Sequence, residues 1–178
     1  LFRLVGSEMC IRDSFHAAFG ETFVLPEAKL QENAQHVLGT DGAKMSKSKN
    51  NTINIFLPEK KLRKQVMGIA TDSTPLEAPK NPDSCTVFAL YSLIAQPAEV
   101  VAMQKNYESG GFGYGHAKQA LYEAILERFS DARTKFDDFM ANPEVLETQL
   151  QKGAVKARGI AQEVIQRVRK NLGYTTKA

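Results

Sequence analysis

The stretch Asp-Gly-Ala-Lys-Met-Ser-Lys-Ser-Lys-Asn-Asn occupies residues 41–51 and is the most informative part of this chain. It contains three lysines and two serines but a single carboxylate. Backbone N–H groups and hydroxyls can surround phosphate oxygens, and a lysine adds a mobile point charge. The stretch therefore predicts a loop that binds a chain of phosphates. The alternative is a lysine–serine turn exposed to solvent without a ligand.

The composition around this loop is that of a soluble globular protein. The chain has 178 residues, of which 43% are hydrophobic and 24% charged, enough for one domain or two small ones. No apolar run approaches the ~20 residues that span a bilayer. Cys10 and Cys85 are the only cysteines and have no Cys-x-x-Cys spacing, so they predict neither a metal site nor a disulfide framework. These features favour a reducing, cytoplasmic setting without membrane association.

Positive charge is concentrated near the end of the sequence. The net charge is only +3, yet residues 143–178 contain seven basic residues against three glutamates. A basic helix on a nearly neutral protein can face the phosphates of a nucleic acid. A solvated helix face is the alternative, and charge alone does not exclude it.

Periodicity predicts a short α/β segment followed by a helical half. Three short extended segments are predicted at residues 22–25, 35–38 and 52–56, followed by a helix from Pro58 to about Gly68. Beyond residue 81, four helices are predicted from cap and proline signals and from apolar residues at 3–4 spacing. They begin near Asn81, Pro97, Gly115 and Pro143, and the last one ends at Gly173.

Residues 1–14 have no clear period and are left out of the fold prediction. The run Ser-Glu-Met-Cys-Ile-Arg-Asp at residues 7–13 resembles translated sequencing-adapter read-through, so we expect residues 1–14 to be non-native. The alternative is a genuine N-terminal strand and loop. Resequencing the source across Ser14 and Phe15 would distinguish the two.

Several segments in order along the chain resemble one known family. The pentapeptide at residues 44–48 resembles the second signature of class I aminoacyl-tRNA synthetases. Residues 19–28, 69–73, 113–118 and 153–157 resemble, in the same order, the bacterial tryptophanyl-tRNA synthetases. The Thr-Asp-Ser step at 71–73 favours this family over its tyrosine-specific relative. The resemblance covers residues 15 to about 174.

The resemblance implies a fold class and a domain division. It implies a mainly α chain that begins with the end of a class I Rossmann-like α/β nucleotide-binding domain. That part would extend over residues 15–80 and carry the lysine loop. An all-helical anticodon-binding domain would follow over residues 81–178.

The same resemblance implies an activity and roles for residues. The family uses ATP, with Mg²⁺ carried by the nucleotide, to convert tryptophan to its adenylate, and then transfers it to tRNA(Trp). Lys47 would stabilise the departing pyrophosphate in the transition state, and Lys44 would assist phosphate binding. All five loop residues would contact ATP: Lys44, Met45, Ser46, Lys47 and Ser48. The family also implies a homodimeric parent protein, and contacts of Lys152, Lys156 and Arg158 with tRNA.

One departure from the family is large. The first class I signature, His-Ile-Gly-His or a close variant, is absent, because no histidine here has a second one three residues later. Most of the tryptophan pocket is also missing. We therefore expect a C-terminal fragment that is inactive alone. The alternatives are a fragment of a tyrosyl-tRNA synthetase and a non-catalytic, tRNA-binding helical module.

Overall fold

The computed structural model describes residues 2–25 and 36–174. Within these ranges the chain forms seven α-helices and one short 3₁₀ turn at Lys47–Lys49. The helices are α1 (Phe2–Phe19), α2 (Glu59–Met67), α3 (Thr86–Ser92), α4 (Pro97–Ser109), α5 (Tyr114–Arg128), α6 (Ser130–Ala141) and α7 (Pro143–Asn171). Residues 26–28 of the first resembling segment, Gln35 and Lys177 lie outside the described ranges.

The chain divides into two compact units. A central unit comprises Gln31–Met140, and a terminal unit combines Leu1–Leu30 with Ala141–Ala178. Helices from both sides of the predicted boundary near residue 80 belong to the central unit. The predicted division into a nucleotide-binding part and an anticodon-binding part stays a prediction.

The hydrophobic core lies in the central unit, where α3 packs against α4 and α5, and α2 packs against α5. Its largest fully buried side chains come from α2 to α5 and the adjoining residues: Leu62, Val66, Ile69, Val87, Tyr107 and Leu121. Burial of a large apolar side chain contributes roughly 1.5–3 kcal/mol. The core therefore fixes the relative positions of these four helices and of the loops between them.

The terminal unit is held by different contacts. The ring of Phe15 in α1 lies 5.0 Å from the rings of Phe19 and Phe23, measured between centroids. Near the end of α7, the Asn171 side chain donates a hydrogen bond of 2.6 Å to the Thr22 hydroxyl. No residue of α7 is buried in the part of the chain that the structure describes, although the helix runs for 29 residues.

Most of the predicted helices are confirmed. Pro58 precedes α2, Pro97 begins α4, and Pro143 begins α7, which is followed by Gly173 at φ 77°. The helix predicted near Asn81 begins later, at Thr86, because residues 81–85 form turns instead. The long helix predicted after Gly115 is divided into α5 and α6 at Phe129.

Within the described residues, none of the three segments predicted to be extended forms a regular strand. The Gln65 side chain accepts a hydrogen bond from Asn54 N–H at 3.0 Å and donates one to the Thr52 carbonyl at 2.6 Å. One side chain thus bonds to the backbone N–H and carbonyl groups that a neighbouring strand would pair with in a sheet. In 22–25, Phe23 N–H donates to the His16 imidazole at 2.9 Å. At 36–38 the pairing is limited to one antiparallel bridge, described below. The alternative strand in residues 1–14 is replaced by α1, which extends to Phe19.

Candidate functional site

A small hairpin carries the lysine loop in the central unit. Leu38 and Lys44 form an isolated antiparallel bridge. Gly39 N–H donates to the Ala43 carbonyl at 2.7 Å, and Met45 N–H donates to the Val37 carbonyl at 2.8 Å. These bonds satisfy the backbone on both sides of the turn and lead the chain directly into the pentapeptide.

Gly42 at the tip of this hairpin has a backbone conformation that disfavours other residues. Its φ is 78°, in the left-handed region that glycine adopts without steric cost. A Cβ added there would lie 3.1 Å from the Thr86 hydroxyl at the start of α3. Glycine therefore provides both the turn and the close approach of the hairpin to α3.

The second half of the pentapeptide forms the 3₁₀ turn. Ser46 and Ser48 share a hydrogen bond of 2.8 Å between their hydroxyls, and Asn50 ends the turn at φ 55°. Lys44 and Lys47 are exposed, whereas Ser46 is half-buried. Neither lysine side chain forms a hydrogen bond to another residue of the described ranges. Two exposed lysines and a hydrogen-bonded pair of hydroxyls thus occur within five consecutive residues.

Asn51 is only 2% exposed and forms side-chain hydrogen bonds to three residues of this loop. Its Oδ1 accepts a hydrogen bond from Ser46 N–H at 2.8 Å. Its Nδ2 donates to Asp41 Oδ1 at 2.7 Å and to the Lys44 carbonyl at 3.2 Å. The bond from Asn51, together with that from Ala43 N–H, lowers the pKa of the Asp41 carboxyl. The carboxylate form of Asp41 therefore remains the acceptor in this network.

The loop that follows α2 adjoins the hairpin. Ala70 N–H donates to the Thr40 carbonyl at 2.7 Å, which connects the two segments. Two residues later, Asp72 Oδ1 accepts hydrogen bonds from Thr74 N–H at 2.9 Å and from the Tyr114 hydroxyl at 2.8 Å. Bonds from Thr74, followed by that from Tyr114, lower the pKa of Asp72. Burial, followed by the neighbouring Asp72, raises the pKa of Tyr114 to about 12.

A buried lysine stabilises the same loop. Lys80 is 4% exposed, and its Nζ donates to the carbonyls of Pro75, Leu76 and Ala78 at 2.9, 3.3 and 3.2 Å. The ammonium also lies 5.4 Å from the centroid of the Tyr114 ring, which is cation–π geometry. Three carbonyl oxygens and an aromatic face thus replace water around this charge.

The structure brings together some of the predicted site residues and separates others. All five pentapeptide residues lie in the central unit, with Lys44 and Met45 on the hairpin and Lys47 and Ser48 in the 3₁₀ turn that follows Ser46. The predicted tRNA contacts Lys152, Lys156 and Arg158 are exposed residues of α7, in the terminal unit. At 3.6 residues per turn, the first two share a face, whereas Arg158 lies roughly 160° around the helix from Lys156. The catalytic and binding roles of all these residues stay predictions.

The sequence prediction gave no role to Asn51 or Lys80. Two consecutive asparagines after a lysine–serine loop are a usable signal, because asparagine favours both left-handed turns and local side-chain bonds to the backbone. For Lys80 no such signal exists in the sequence. Its burial results from the folding of residues 75–78 around its ammonium group.

Neither a metal-binding cluster nor a helix able to cross a membrane occurs among the described residues. No group of three or more His, Cys, Asp or Glu residues there is arranged to hold a metal ion. In the same ranges, no helix combines the length and the apolar character that crossing a membrane requires.

The hairpin, the lysine turn and the helical core define a class of protein. The chain belongs to the family of class I tRNA synthetases (W and Y), whose model matches residues 11–130. This match includes the lysine loop, the adjoining loop after α2 and the core helices α2 to α5.

Particular relatives are tryptophan–tRNA ligases. The chain is 48% identical over 168 residues to the one from Rhodopirellula baltica, covering 93% of this chain and 52% of that protein. It is 46% identical over 155 residues to one from Campylobacter jejuni, covering 87% of this chain and 49% of that protein. The chain thus spans about half the length of the curated relatives it matches.

A solved structure gives the same likeness in three dimensions. A tryptophanyl-tRNA synthetase from Campylobacter jejuni, complexed with ADP and tryptophan, matches with a TM-score of 0.80 and 43% sequence identity. The match covers 95% of this chain and 53% of that protein. The fold class predicted from the sequence, mainly α within the class I synthetases, is confirmed.

Proposed function

We propose that this chain is the C-terminal half of a tryptophan–tRNA ligase. The whole protein activates tryptophan with ATP and transfers it to tRNA(Trp). The observation that carries the proposal is a complete Lys-Met-Ser-Lys-Ser turn, with its lysines exposed and its backbone fixed by a buried asparagine, in a chain similar to such ligases. The similarity of 46–48% over most of the chain favours tryptophan over tyrosine as the substrate.

The proposed chemistry needs positive charge that acts late in the reaction. The tryptophan carboxylate attacks the α-phosphate of ATP, the bond to the bridging oxygen breaks, and pyrophosphate departs. Negative charge increases on the leaving phosphates during this step. Lys47 stabilises that charge, while Lys44, the two serines and the turn backbone bind the phosphates. When bound together with ATP, Mg²⁺ would neutralise part of the same charge.

The half-buried side chain of Met45 has a supporting role in this proposal. It would pack beneath the loop or beside the adenine rather than bind phosphate, since a thioether is only a weak hydrogen-bond acceptor.

The terminal unit has a proposed role in tRNA binding. Lys152 and Lys156 are one turn apart on α7 and exposed, so they can contact successive phosphates of an RNA strand. Arg158 would contact the RNA from another side of the helix. We also propose, from the family, that the whole protein is a homodimer of the cytoplasm.

Exchange of pyrophosphate into ATP by the full-length gene product tests this proposal. We expect exchange that depends on tryptophan and not on tyrosine, and none from the 178-residue chain alone. Exchange that depends on tyrosine would show that tyrosine, and not tryptophan, is the substrate. No exchange with either amino acid, combined with tRNA binding that weakens steeply with salt, would favour a non-catalytic tRNA-binding module instead.

A further inference from the structure

Asn51 connects three parts of the lysine loop although it lies outside the pentapeptide. Its carboxamide bonds the Ser46 N–H, the Lys44 carbonyl and the Asp41 carboxylate. The backbone carbonyl of Asn51 accepts a hydrogen bond from Thr40 N–H at 2.9 Å. These partners fix the orientation of the amide, because Ser46 N–H requires an acceptor and Asp41 requires a donor. With 2% of its surface exposed, Asn51 acts through these partners and not on a ligand directly.

We propose that Asn51 is a positioning residue for the phosphate-binding turn, an inference that rests on the proposed function. Its carboxamide bonds to the N–H of Ser46 and to the carbonyl of Lys44, and these two bonds fix the backbone immediately before Lys47. The turn that begins at Lys47 therefore starts from one backbone arrangement. Each ammonium remains free to move on its stem, while the backbone that carries it stays in place.

The space around Asn51 supports this role. A Cβ added to Gly39 would lie 2.6 Å from the Asn51 carbonyl oxygen and closer still to its carboxamide. Glycine at position 39 is thus the residue that leaves room for the buried amide. Glycine is also compatible with the hairpin bond from Gly39 N–H to Ala43. Gly39→Ala is a second way to displace Asn51 without changing the amide itself.

Only an amide satisfies all the partners. An aspartate at position 51 could still accept from Ser46 N–H, but it would repel Asp41 and offer no hydrogen to Lys44. Exchanging the two residues restores a donor opposite an acceptor. In the double variant Asp41→Asn with Asn51→Asp, the amide at position 41 can donate to the carboxylate at position 51. This exchanged pair separates positioning by the 41–51 bond from a simple requirement for an amide at 51.

The kinetic test uses the full-length protein in the pyrophosphate-exchange reaction. A misplaced catalytic group can cost on the order of 100-fold in rate. We expect Asn51→Ala to lower kcat by about that factor while the KM for tryptophan changes less than about threefold. Gly39→Ala should act in the same direction. Asn54→Ala is the matched control, since Asn54 is exposed and its side chain accepts from Phe56 N–H outside the loop.

The exchanged pair keeps the test valid if Asn51→Ala fails to fold. We expect Asn51→Asp to be as impaired as Asn51→Ala, and the double variant with Asp41→Asn to recover at least about tenfold in kcat. A double variant no better than Asn51→Asp would overturn the proposal. An active wild type with an unimpaired Asn51→Ala would overturn it as well.

A readout without catalysis uses the 178-residue chain itself. Hydrogen exchange of the Ser46 amide should accelerate in Asn51→Ala and stay unchanged in Asn54→Ala, because only the first removes its acceptor. Unchanged exchange at Ser46 would contradict the inferred contact. A full-length wild type without any exchange activity would instead overturn the proposed function, and this inference with it.

Discussion

The central and terminal units both consist mainly of helices, but only the central unit has a hydrophobic core among the described residues. Leu121 in α5 is 1% exposed, whereas Ile160 in α7 is 69% exposed. Both positions belong to apolar stripes at helical spacing. Periodicity therefore predicts that a helix forms and which face is apolar, whereas burial depends on a second element covering that face.

The two units also place charge differently. The central unit buries one ammonium, that of Lys80, among carbonyls and exposes the lysines of the loop. The terminal unit exposes its basic residues along α7. A rigid core beneath an exposed lysine turn suits chemistry that needs groups at fixed positions. An exposed basic helix suits contact with phosphates along a strand.

The largest predicted difference concerns side-chain burial. Leu121→Ala should destabilise the chain by about 3 kcal/mol, because it removes a fully buried side chain and leaves a cavity. Ile160→Ala should change the stability by less than about 0.5 kcal/mol, because alanine suits a helix and little burial is lost. Urea unfolding of both variants measures this. Equal losses of stability in the two variants would contradict the conclusion that only the central unit has a hydrophobic core among the described residues.

A smaller effect is expected at Lys80. Lys80→Met keeps the aliphatic stem but removes the ammonium that binds three carbonyls, so we expect a loss of about 2 kcal/mol. Lys170→Met in α7 is the matched control, since Lys170 is exposed. It should change the stability by less than about 0.5 kcal/mol. Similar values for the two lysines in urea unfolding would show that the burial of Lys80 has no energetic consequence.

The smallest effect concerns the pH dependence of stability. The pKa of Tyr114 is raised from 10.0 to about 12, so the folded state binds its proton more tightly than the unfolded chain. The stability that this contributes is complete below pH 10 and is lost as the pH rises from 10 towards 12. Tyr114→Phe should make the alkaline limb of the urea-unfolding midpoint shallower. Tyr174→Phe, an exposed tyrosine of the terminal unit, should behave like the wild type.

At acidic pH the stability changes in the opposite direction, falling as the pH is lowered. Hydrogen bonds lower the pKa of Asp72 below 3.8, so its contribution is present above that pH and is lost as the pH falls further. Asp72→Asn should therefore reduce the loss of stability below pH 4. An unchanged acidic limb would contradict the bonds assigned to Asp72.

The helical half could be predicted well from the sequence, and the course of the short extended segments only poorly. Pro97 and Asn142 with Pro143 are local signals, so the starts of α4 and α7 could be predicted from nearby residues. Residues 52–56 alternate apolar and polar side chains as a strand does, yet Gln65 from α2 satisfies their backbone. That outcome depends on a contact 11 to 13 residues away, which alternation does not encode.

The chemistry of the candidate site stays a prediction from residue types, and the side chains that support the site could not be predicted. Lysines and serines at residues 44–48 indicate phosphate binding because of their side-chain types alone. Asn51 and Lys80 are recognised only when burial and partners are known, because an asparagine or lysine in a polar loop is usually solvated. The origin of residues 1–14 as read-through stays a prediction.

Single-turnover adenylate formation by Lys47→Ala in the full-length protein tests the central claim most directly. If Lys47 stabilises the departing pyrophosphate, the rate should fall by a factor that corresponds to about 3–4 kcal/mol. Lys49→Ala, which removes an exposed lysine of the same turn outside the pentapeptide, should retain a rate close to that of the wild type. An unchanged rate in Lys47→Ala would contradict the account.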